Sequence, residues 1–199
     1  MRNAVIRSSG IYAPKRVLDN QYFNDLLGQD VDTWLRENLD IYERRWCDES
    51  ESTADLCVNA AQEALSRAGL RPRDLDLIIV ATDTPEYLTP STAAVVQYRL
   101  QAGHAGTFDL NAACAGFITG MDVAAKYIRT DQRYNHVLVI GAYAMSKYLD
   151  EKDKKTVTLY ADGAGAIVLS AEETEESGYL GSELVTLGQY YDGMGIYAG

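Results

Sequence analysis

The residue of this sequence best placed for nucleophilic chemistry is Cys114, in the segment NAACAGF at 111–117. It comes where a predicted strand gives way to a predicted helix. A thiol at the N-terminus of a helix meets unpaired N–H groups and the positive end of the helix dipole, and both favour the nucleophilic thiolate. The small alanine and glycine neighbours would let a substrate approach the backbone. These features predict a nucleophilic cysteine, although cysteine is also a small hydrophobic residue that often packs into cores.

The other two cysteines are weaker candidates for a nucleophile. Cys57 falls inside a predicted helix among apolar residues, and Cys47 falls in the turn after Trp46. Three cysteines give no even-numbered disulfide framework, and no C-x-x-C pair suggests bound zinc. We therefore expect no metal site, and a reducing compartment such as the cytoplasm is the simplest location.

A cysteine nucleophile generally needs a base, which is most often a histidine. The sequence contains only His104, in a loop flanked by glycines, and His136, just before a strand. His136 would lie at the end of its strand opposite to the reactive edge of the sheet. Both histidines are predicted to be solvated loop residues, so the sequence offers a nucleophile without an obvious base.

Length, composition and charge limit the remaining possibilities. The 199 residues suffice for one domain, and 47% hydrophobic with 24% charged residues is typical of soluble globular proteins. No apolar run approaches the roughly 18 residues that cross a bilayer, and the N-terminal segment MRNAVIRSSG lacks the pattern of a signal peptide. The net charge of −11 argues against nucleic acid and anionic membranes, because both attract basic proteins.

Strands alternate with helices along the chain, which predicts βαβ crossovers and an α/β fold with a largely parallel sheet. The predicted strands are AVIRSSGIYAP (4–14), LDLIIVATDT (75–84), GTFDLNA (106–112) and HVLVIGAYA (136–144), the last three covered on both faces. The predicted helices are LDNQYFNDLLG (18–28), DTWLRENL (32–39), STADLCVNAAQEALSRAGLRP (52–72), STAAVVQYRLQAG (91–103) and one that begins at Cys114. Reactive groups in such a sheet lie beyond the C-terminal ends of the strands, which is where Cys114 falls.

Two further predictions concern the glycine-rich part of the chain. TVTLYADGAGAIVLSA (156–171) is interpreted as two strands that meet at a bend, and 179–199 as offering one more strand. The GAGA motif at 163–166 would be typical of a phosphate-binding loop only if a helix followed it. Because the apolar run AIVLS follows, the glycines are predicted to allow close packing at the bend.

The strings NAACAGF (111–117) and ADGAGAIVLS (161–170) closely resemble the ketoacyl synthase III branch of the thiolase superfamily. Matching segments run in order through the chain, including SSGIYAPKRVLDN, the Trp34 segment that ends IYERRW, and LIIVATDTPEYLTPSTAAVVQYRL. The resemblance implies a thiolase-like fold, in which one mixed, mostly parallel sheet with helices on both faces forms half of an αβαβα architecture. Residues 1–199 would be the N-terminal domain, and a histidine and an asparagine would come from a C-terminal half that this chain lacks.

The resemblance also implies chemistry, substrates and partners. Cys114 would take an acyl group from an acyl-CoA, with its own backbone N–H among the donors to the oxyanion. A malonyl-acyl-carrier-protein would then lose CO2, and its carbanion would attack the acyl group, as at the start of fatty acid or polyketide synthesis. No cofactor is implied. The partners would be acyl-CoA, acyl carrier protein and a second copy of the chain, whose loop closes the acyl pocket of its neighbour.

Four positions correspond to substrate contacts in that branch. Trp34 matches a tryptophan that holds the adenine of CoA. Asn38 and Lys154 stand where arginines are usual, and lysine stacks less well on a planar ring, so weaker CoA binding or a carrier-protein donor is expected. Thr89 stands where a phenylalanine blocks the acyl channel in some members, which predicts tolerance of chains longer than acetyl unless another residue refills the space. Tyr143 replaces an acidic or small residue, and nothing in the sequence explains it.

Two alternatives stay open, the first because of these departures and the second because the resemblance covers only half of a full-length member. A relative that keeps Cys114 could move its acyl group to an oxygen, nitrogen or sulfur acceptor without decarboxylating malonate. A chain of 199 residues could also act as a split subunit or scaffold that needs a partner chain for activity. The acidic composition leaves no basic patch for an acyl carrier protein, so that patch is expected outside this chain.

Overall fold

The computed structural model describes residues 1–193 and 195–196. The described residues form strands β1 to β7, at Arg2–Tyr12, Arg16–Asp19, Glu43–Trp46, Leu77–Ala81, Gly106–Leu110, His136–Tyr143 and Gly163–Glu173. They form helices α1 to α6, at Asn20–Leu27, Asp32–Leu39, Thr53–Ala68, Thr92–Leu100, Gly116–Thr130 and Lys154–Val157. Within this part of the chain, every helix is too short or too polar to cross a membrane.

The main sheet has the strand order β1-β7-β6-β4-β5. Strands β6, β4 and β5 pair in parallel, whereas β7 runs antiparallel to both of its neighbours, β1 and β6. All strands of this sheet except β7 therefore point the same way, which confirms the predicted mixed, mostly parallel sheet. Their C-terminal ends meet at one edge, and the segment that carries Cys114 begins there.

Helices cover both faces of the sheet because its central strands are apolar on both sides. Every residue of β4 is buried. Ile78 and Val80 pack with α3 on one face, and Ile79 packs with Ala124 and Ile128 of α5 on the other. Strand β5 is only half-buried, so the prediction that it is covered on both faces is wrong. It lies at the edge of the sheet, with β4 as its one neighbouring strand among the described residues.

Helix α3 lies directly on β1. Its N-terminus has a capping box, in which Ser52 and Asp55 each accept a hydrogen bond from the other's backbone N–H. It ends at Gly69, whose φ of 66° lies in the left-handed region that favours glycine. Strand β1 approaches so closely that a Cβ at Gly10 would lie 2.3 Å from the carbonyl oxygen of Ala60. The missing side chain at position 10 therefore sets the distance between helix and sheet.

A two-stranded sheet of β2 and β3 lies beside the main sheet, and the sequence did not predict it. It packs with α1, α2 and α6 around Phe23, Leu35 and Trp46. Arg44 of β3 is buried within this cluster, and its Cζ lies 4.3 Å from the centroid of the Phe23 ring. Its guanidinium donates to the carbonyl oxygen of Thr158 at 2.8 Å. The charged segment ERRW can form a buried strand because Phe23 and Thr158, which are distant in the sequence, contact the guanidinium of Arg44.

Two predictions for the glycine-rich part of the chain are wrong. Residues 156–171 are not two strands at a bend, because Lys154–Val157 is a helix and Gly163–Glu173 is one continuous strand. A Cβ at Gly165 would meet nothing within 4 Å, so close packing does not explain that glycine. Within 179–193 and 195–196 the predicted last strand is absent, and the chain forms a 3-10 turn at Gly188–Tyr190. The rest of that predicted strand lies outside the described residues.

His136, the first residue of β6, makes the stability of the fold depend on pH. Its Nδ1 lies 2.9 Å from the hydroxyl oxygen of Ser170. Burial lowers the pKa of the imidazole below its ordinary 6.5, against the opposing charge of Asp76. The unfolded chain therefore takes up this proton at a higher pH than the folded chain. We expect the full contribution to stability above pH 6.5, and its progressive loss as the pH falls from there through the lowered pKa.

Urea denaturation at a series of pH values measures this effect. His136→Gln keeps a hydrogen-bonding side chain that does not titrate, so the variant should lose part of the pH dependence seen in the wild type. His104→Gln is the matched control, because His104 is exposed in the loop between α4 and β5. Identical pH dependence in His136→Gln and the wild type would contradict the assignment.

Candidate active site

A cavity of about 590 Å³ opens at the C-terminal edge of the main sheet. It lies beyond the ends of β1, β4 and β6 and beside the start of β7, and its wall is mostly apolar. Cys114 and Phe117 contribute to this wall from the segment that follows β5. The cavity therefore occupies the position in which ligands of open α/β sheets are bound.

Cys114 lies in a 3-10 turn that joins β5 to α5. The residue before it, Ala113, has a φ of 45°, in the left-handed region that a residue with a Cβ rarely adopts. The N–H of Ala113 donates to the side-chain oxygen of Asn111 at 3.1 Å, which helps to hold this turn. Helix α5 begins at Gly116, two residues after the predicted start. The turn leaves the thiol of Cys114 exposed at the N-terminal end of the helix.

The two other thiols are enclosed by the fold. Cys57, in α3, is fully buried, and burial raises the pKa of its thiol above the ordinary value. Cys47 is also buried, and burial, together with the nearby carboxylate of Asp162, raises its pKa to about 12. Both thiols are therefore protonated and shielded near neutral pH. Cys114 is the exposed cysteine.

Neither histidine lines the cavity. His104 is exposed in its loop, and His136 begins β6, whose other end borders the cavity. At about 3.3 Å per residue, His136 lies roughly 23 Å along the strand from Tyr143. The cavity that contains Cys114 therefore has no histidine base among the described residues, as the sequence indicated.

Tyr143, Tyr160 and Asp83, which the sequence did not assign to the site, are among the residues that line the cavity with Cys114. Tyr143 ends β6, and the centroid of its ring lies 6.1 Å from that of Tyr160. Partial burial, and then the charge of Asp83, raise the pKa of Tyr143 to about 12, so its hydroxyl is neutral at physiological pH. These residues meet through the pairing of β6 with β7 and the loop after β4, which no local pattern indicates.

Asp162, just before β7, is a buried carboxylate that ties three segments together. It accepts hydrogen bonds from the N–H of Cys47 at 2.7 Å and from the N–H of Ser146 at 2.9 Å. The hydroxyl of Ser146 donates to the same carboxylate at 2.5 Å. The start of β7 is thereby attached to the chain after β3 and to the chain after β6, and this fixes the rim of the cavity near Tyr143.

The residues predicted to hold CoA lie on the side of the smaller sheet. Trp34 is 55% exposed on α2, and the side chain of Asn38 donates to its carbonyl oxygen at 2.9 Å. Lys154 begins α6, with its Nζ 3.4 Å from the side-chain oxygen of Gln29. A second cavity, of about 550 Å³, is lined by Gln29 and residues 149–152. Helices α2 and α6 share one cluster of buried residues, but the CoA contacts themselves stay predictions.

Thr89 lies in the exposed loop between β4 and α4 and does not line the cavity of Cys114. The far end of this loop is anchored to β5, because the N–H groups of Thr92 and Ala93 donate to Asp109 at 2.6 and 2.7 Å. Thr89 is therefore not placed at the cavity of its own chain, and its effect on acyl length stays a prediction. Among residues 1–193 and 195–196, no cluster of three or more His, Cys, Asp or Glu side chains could hold a metal ion.

The mixed sheet, the helices on both faces and the thiol at the strand-to-helix turn define a thiolase-like α/β fold. A family model described as 3-Oxoacyl-[acyl-carrier-protein (ACP)] synthase III matches residues 108–188. A β-ketoacyl-[acyl-carrier-protein] synthase III of Staphylococcus epidermidis is 42% identical over 182 residues, which are 92% of this chain and 57% of that protein.

Solved structures with the same name share the fold. The 3-oxoacyl-[acyl-carrier-protein] synthase III of Aquifex aeolicus VF5 is 41% identical, with a TM-score of 0.81 over 86% of this chain and 55% of that one. The enzyme of Pseudomonas aeruginosa PAO1 is 34% identical, with a TM-score of 0.88 over 96% of this chain and 57% of that one. In sequence and fold the chain is similar to part of these β-ketoacyl-acyl-carrier-protein synthases III, and it spans little more than half the length of these relatives.

Proposed function

We propose that this chain carries the acyl-accepting half of a β-ketoacyl-acyl-carrier-protein synthase III, an acyltransferase that condenses an acyl group with a malonyl unit. The observation that carries the proposal is the exposed thiol of Cys114 on the apolar cavity at the C-terminal edge of the sheet. The relatives' names, which specify a β-ketoacyl group and an acyl carrier protein, support the assignment of substrates.

In the first step, the sulfur of Cys114 attacks the carbonyl carbon of an acyl-CoA thioester as a thiolate. A new carbon–sulfur bond forms, the bond to the sulfur of CoA breaks, and CoA leaves with the proton that Cys114 gave up. The backbone N–H of Cys114 is the proposed donor to the oxyanion. The exposed turn and the apolar wall beside it leave room for the acyl chain.

In the second step, a malonyl thioester on acyl carrier protein loses CO2, and the resulting carbanion attacks the acyl carbonyl carbon. A carbon–carbon bond forms, the bond to Cys114 breaks, and the β-ketoacyl product stays on the carrier. A histidine and an asparagine from a second half of the enzyme would stabilise the enolate, with residues 1–199 as the N-terminal domain. A cavity without a histidine among the described residues is compatible with this division.

The proposal extends to the partners of the chain. Trp34, Asn38 and Lys154 would contact CoA, and the enzyme would act in the cytoplasm without a cofactor, nucleic acid or membrane. The chain would form a homodimer, because within the described residues β5 lies at the edge of the sheet and could pair with a strand of a second copy. The exposed loop of Thr89 would then reach the acyl pocket of the neighbouring subunit.

Mass spectrometry of the intact protein, after incubation with acetyl-, butyryl-, hexanoyl- and octanoyl-CoA, tests the first step. Each acyl-CoA that reacts should add the mass of one acyl group and release one equivalent of free CoA. In the enzyme that also contains the proposed second half, malonyl-acyl-carrier-protein should then discharge the adduct as a β-ketoacyl thioester on the carrier. Absence of an acyl adduct with every acyl-CoA would refute the proposal.

The exposed threonine at position 89 leads to an expectation about acyl length. Because Thr89 is much smaller than phenylalanine, wild-type protein should accept chains longer than acetyl. Thr89→Phe should lower octanoyl transfer relative to acetyl transfer by about tenfold, since a few lost methylene contacts have effects of that size. Thr130→Phe, at the exposed end of α5, is the matched control. Strict acetyl preference in the wild type, or no response to Thr89→Phe, would show that other residues control acyl length.

A further inference from the structure

The two strands that border the cavity carry almost no side-chain volume there. The pairs between β6 and β7 at this edge are Gly141 with Gly165, Ala142 with Ala164, and Tyr143 with Gly163. Apart from Tyr143, each of these residues has at most a methyl group as its side chain. The one large side chain that β6 and β7 bring to this edge of the cavity is therefore the ring of Tyr143.

The register places the open space beside this ring. Gly141, Tyr143, Gly163 and Gly165 share one face of the sheet, because side chains alternate along a strand and paired residues face the same way. The ring of Phe117 covers position 141, where a Cβ would lie 3.1 Å from its Cδ2. Position 165 is uncovered, since a Cβ there would meet nothing within 4 Å. At Gly163, opposite Tyr143, a Cβ would lie 3.3 Å from the carbonyl oxygen of Tyr12. The free volume thus lies over Gly165 of β7, diagonal to Tyr143.

The ring of Tyr143 is supported by its surroundings. Its centroid lies 6.1 Å from that of Tyr160, at an interplanar angle of 56°, and the side chain is half-buried. Its hydroxyl is uncharged near neutral pH, because partial burial and the nearby Asp83 raise its pKa to about 12. The ring therefore presents a neutral wall to whatever enters the cavity from Cys114.

We infer that the ring of Tyr143 sets the upper limit on the length of the acyl chain that Cys114 accepts. The inference rests on the proposed function, because it takes the cavity as the place of the acyl group. A chain that extends from Cys114 over the glycines of β7 meets this ring, and a longer chain has to displace it. This gives a physical role to a residue that the sequence alone did not explain.

The test compares the rates of acyl transfer to Cys114 from acetyl-CoA and from octanoyl-CoA, followed by mass spectrometry of the intact protein. In Tyr143→Ala the octanoyl-to-acetyl ratio should rise by about tenfold or more, because single methylenes in apolar pockets change rates by that much. In Tyr143→Trp, with its larger ring, the ratio should fall. Tyr143→Phe keeps the ring and should keep the wild-type ratio. Tyr98→Ala is the matched control, because Tyr98 is 82% exposed on α4.

The outcomes separate this inference from the proposed function. If every variant is acylated with an unchanged ratio, the role of Tyr143 is refuted and the proposed function stands. If neither acyl-CoA labels the wild type, the proposed function is refuted, and the role of Tyr143 with it. A shift in Tyr143→Phe as large as that in Tyr143→Ala would assign selection to the hydroxyl and refute a role of ring size. If circular dichroism shows that Tyr143→Ala is unfolded, the test depends on Tyr143→Trp. A lower octanoyl-to-acetyl ratio in that variant supports the inference, and an unchanged or higher ratio refutes it.

Discussion

Replacement of Cys114 by alanine is expected to abolish acyl transfer to this protein, with a fall in rate of at least about a thousandfold. The thiol of Cys114 is exposed on the cavity, whereas those of Cys47 and Cys57 are buried. Alanine keeps the backbone N–H and nearly the same volume, so the loss reports on the sulfur and not on the oxyanion donor. The measurement is the acyl mass on the intact protein, located by peptide mapping.

Two controls make this result specific. Cys57→Ala removes a buried thiol of α3 and should leave the acyl adduct in place. Alkylation by iodoacetamide near neutral pH should add one group to the wild type and none to Cys114→Ala, since the remaining thiols are buried and their pKa values are raised. Equal acyl labelling of the wild type and Cys114→Ala would remove Cys114 from its proposed role.

The sequence predicted those parts of the fold whose conformation depends on local features. Every position of β4 is apolar, and a strand that is covered on both faces requires this. Ser52 and Gly69 mark the two ends of α3 through caps that involve only neighbouring residues. The same methods predicted a strand at AIVLS but not that β7 already begins at Gly163, because alternating glycine and alanine are compatible with a turn or a strand. These residues form a strand because they pair with β1 on one side and with β6 on the other.

The same distinction between local and long-range features applies to the residues of the candidate site. Cys114 could be identified because its exposure depends on a strand-to-helix turn that the surrounding residues define. Tyr143, Asp83 and Asp162 could not, because the cavity brings them together only after β4, β6 and β7 have paired. A signal did exist for Asp162, which is a single charge directly before a long apolar run. Its carboxylate is buried and accepts three hydrogen bonds. Which donors it binds depends on segments far away in the sequence.

The largest expected effect on stability comes from a single methyl group at position 10. In Gly10→Ala the added Cβ would lie 2.3 Å from the carbonyl oxygen of Ala60 and 2.4 Å from the backbone nitrogen of Ala64. Both atoms belong to the backbone of α3, so no side chain can rotate to make room. Helix α3 has to move away from β1 and lose contacts with the core on that face. We expect the free energy of unfolding to fall by about 3 kcal/mol or more, which corresponds to about 6–12 °C in Tm for a chain of this size.

Gly165→Ala is the matched control, because Gly165 lies in β7 opposite Ile11, the residue after Gly10. The same methyl group there would point into open space, with nothing within 4 Å, so the change in unfolding free energy should stay within about 1 kcal/mol. Urea and thermal denaturation of both variants make the comparison, and glycine's greater freedom in the unfolded chain cancels between them. Equal destabilisation by the two substitutions would mean that alanine is disfavoured in these strands generally. A large loss in Gly10→Ala alone would show that the close contact between β1 and α3 is needed for the stability of the fold.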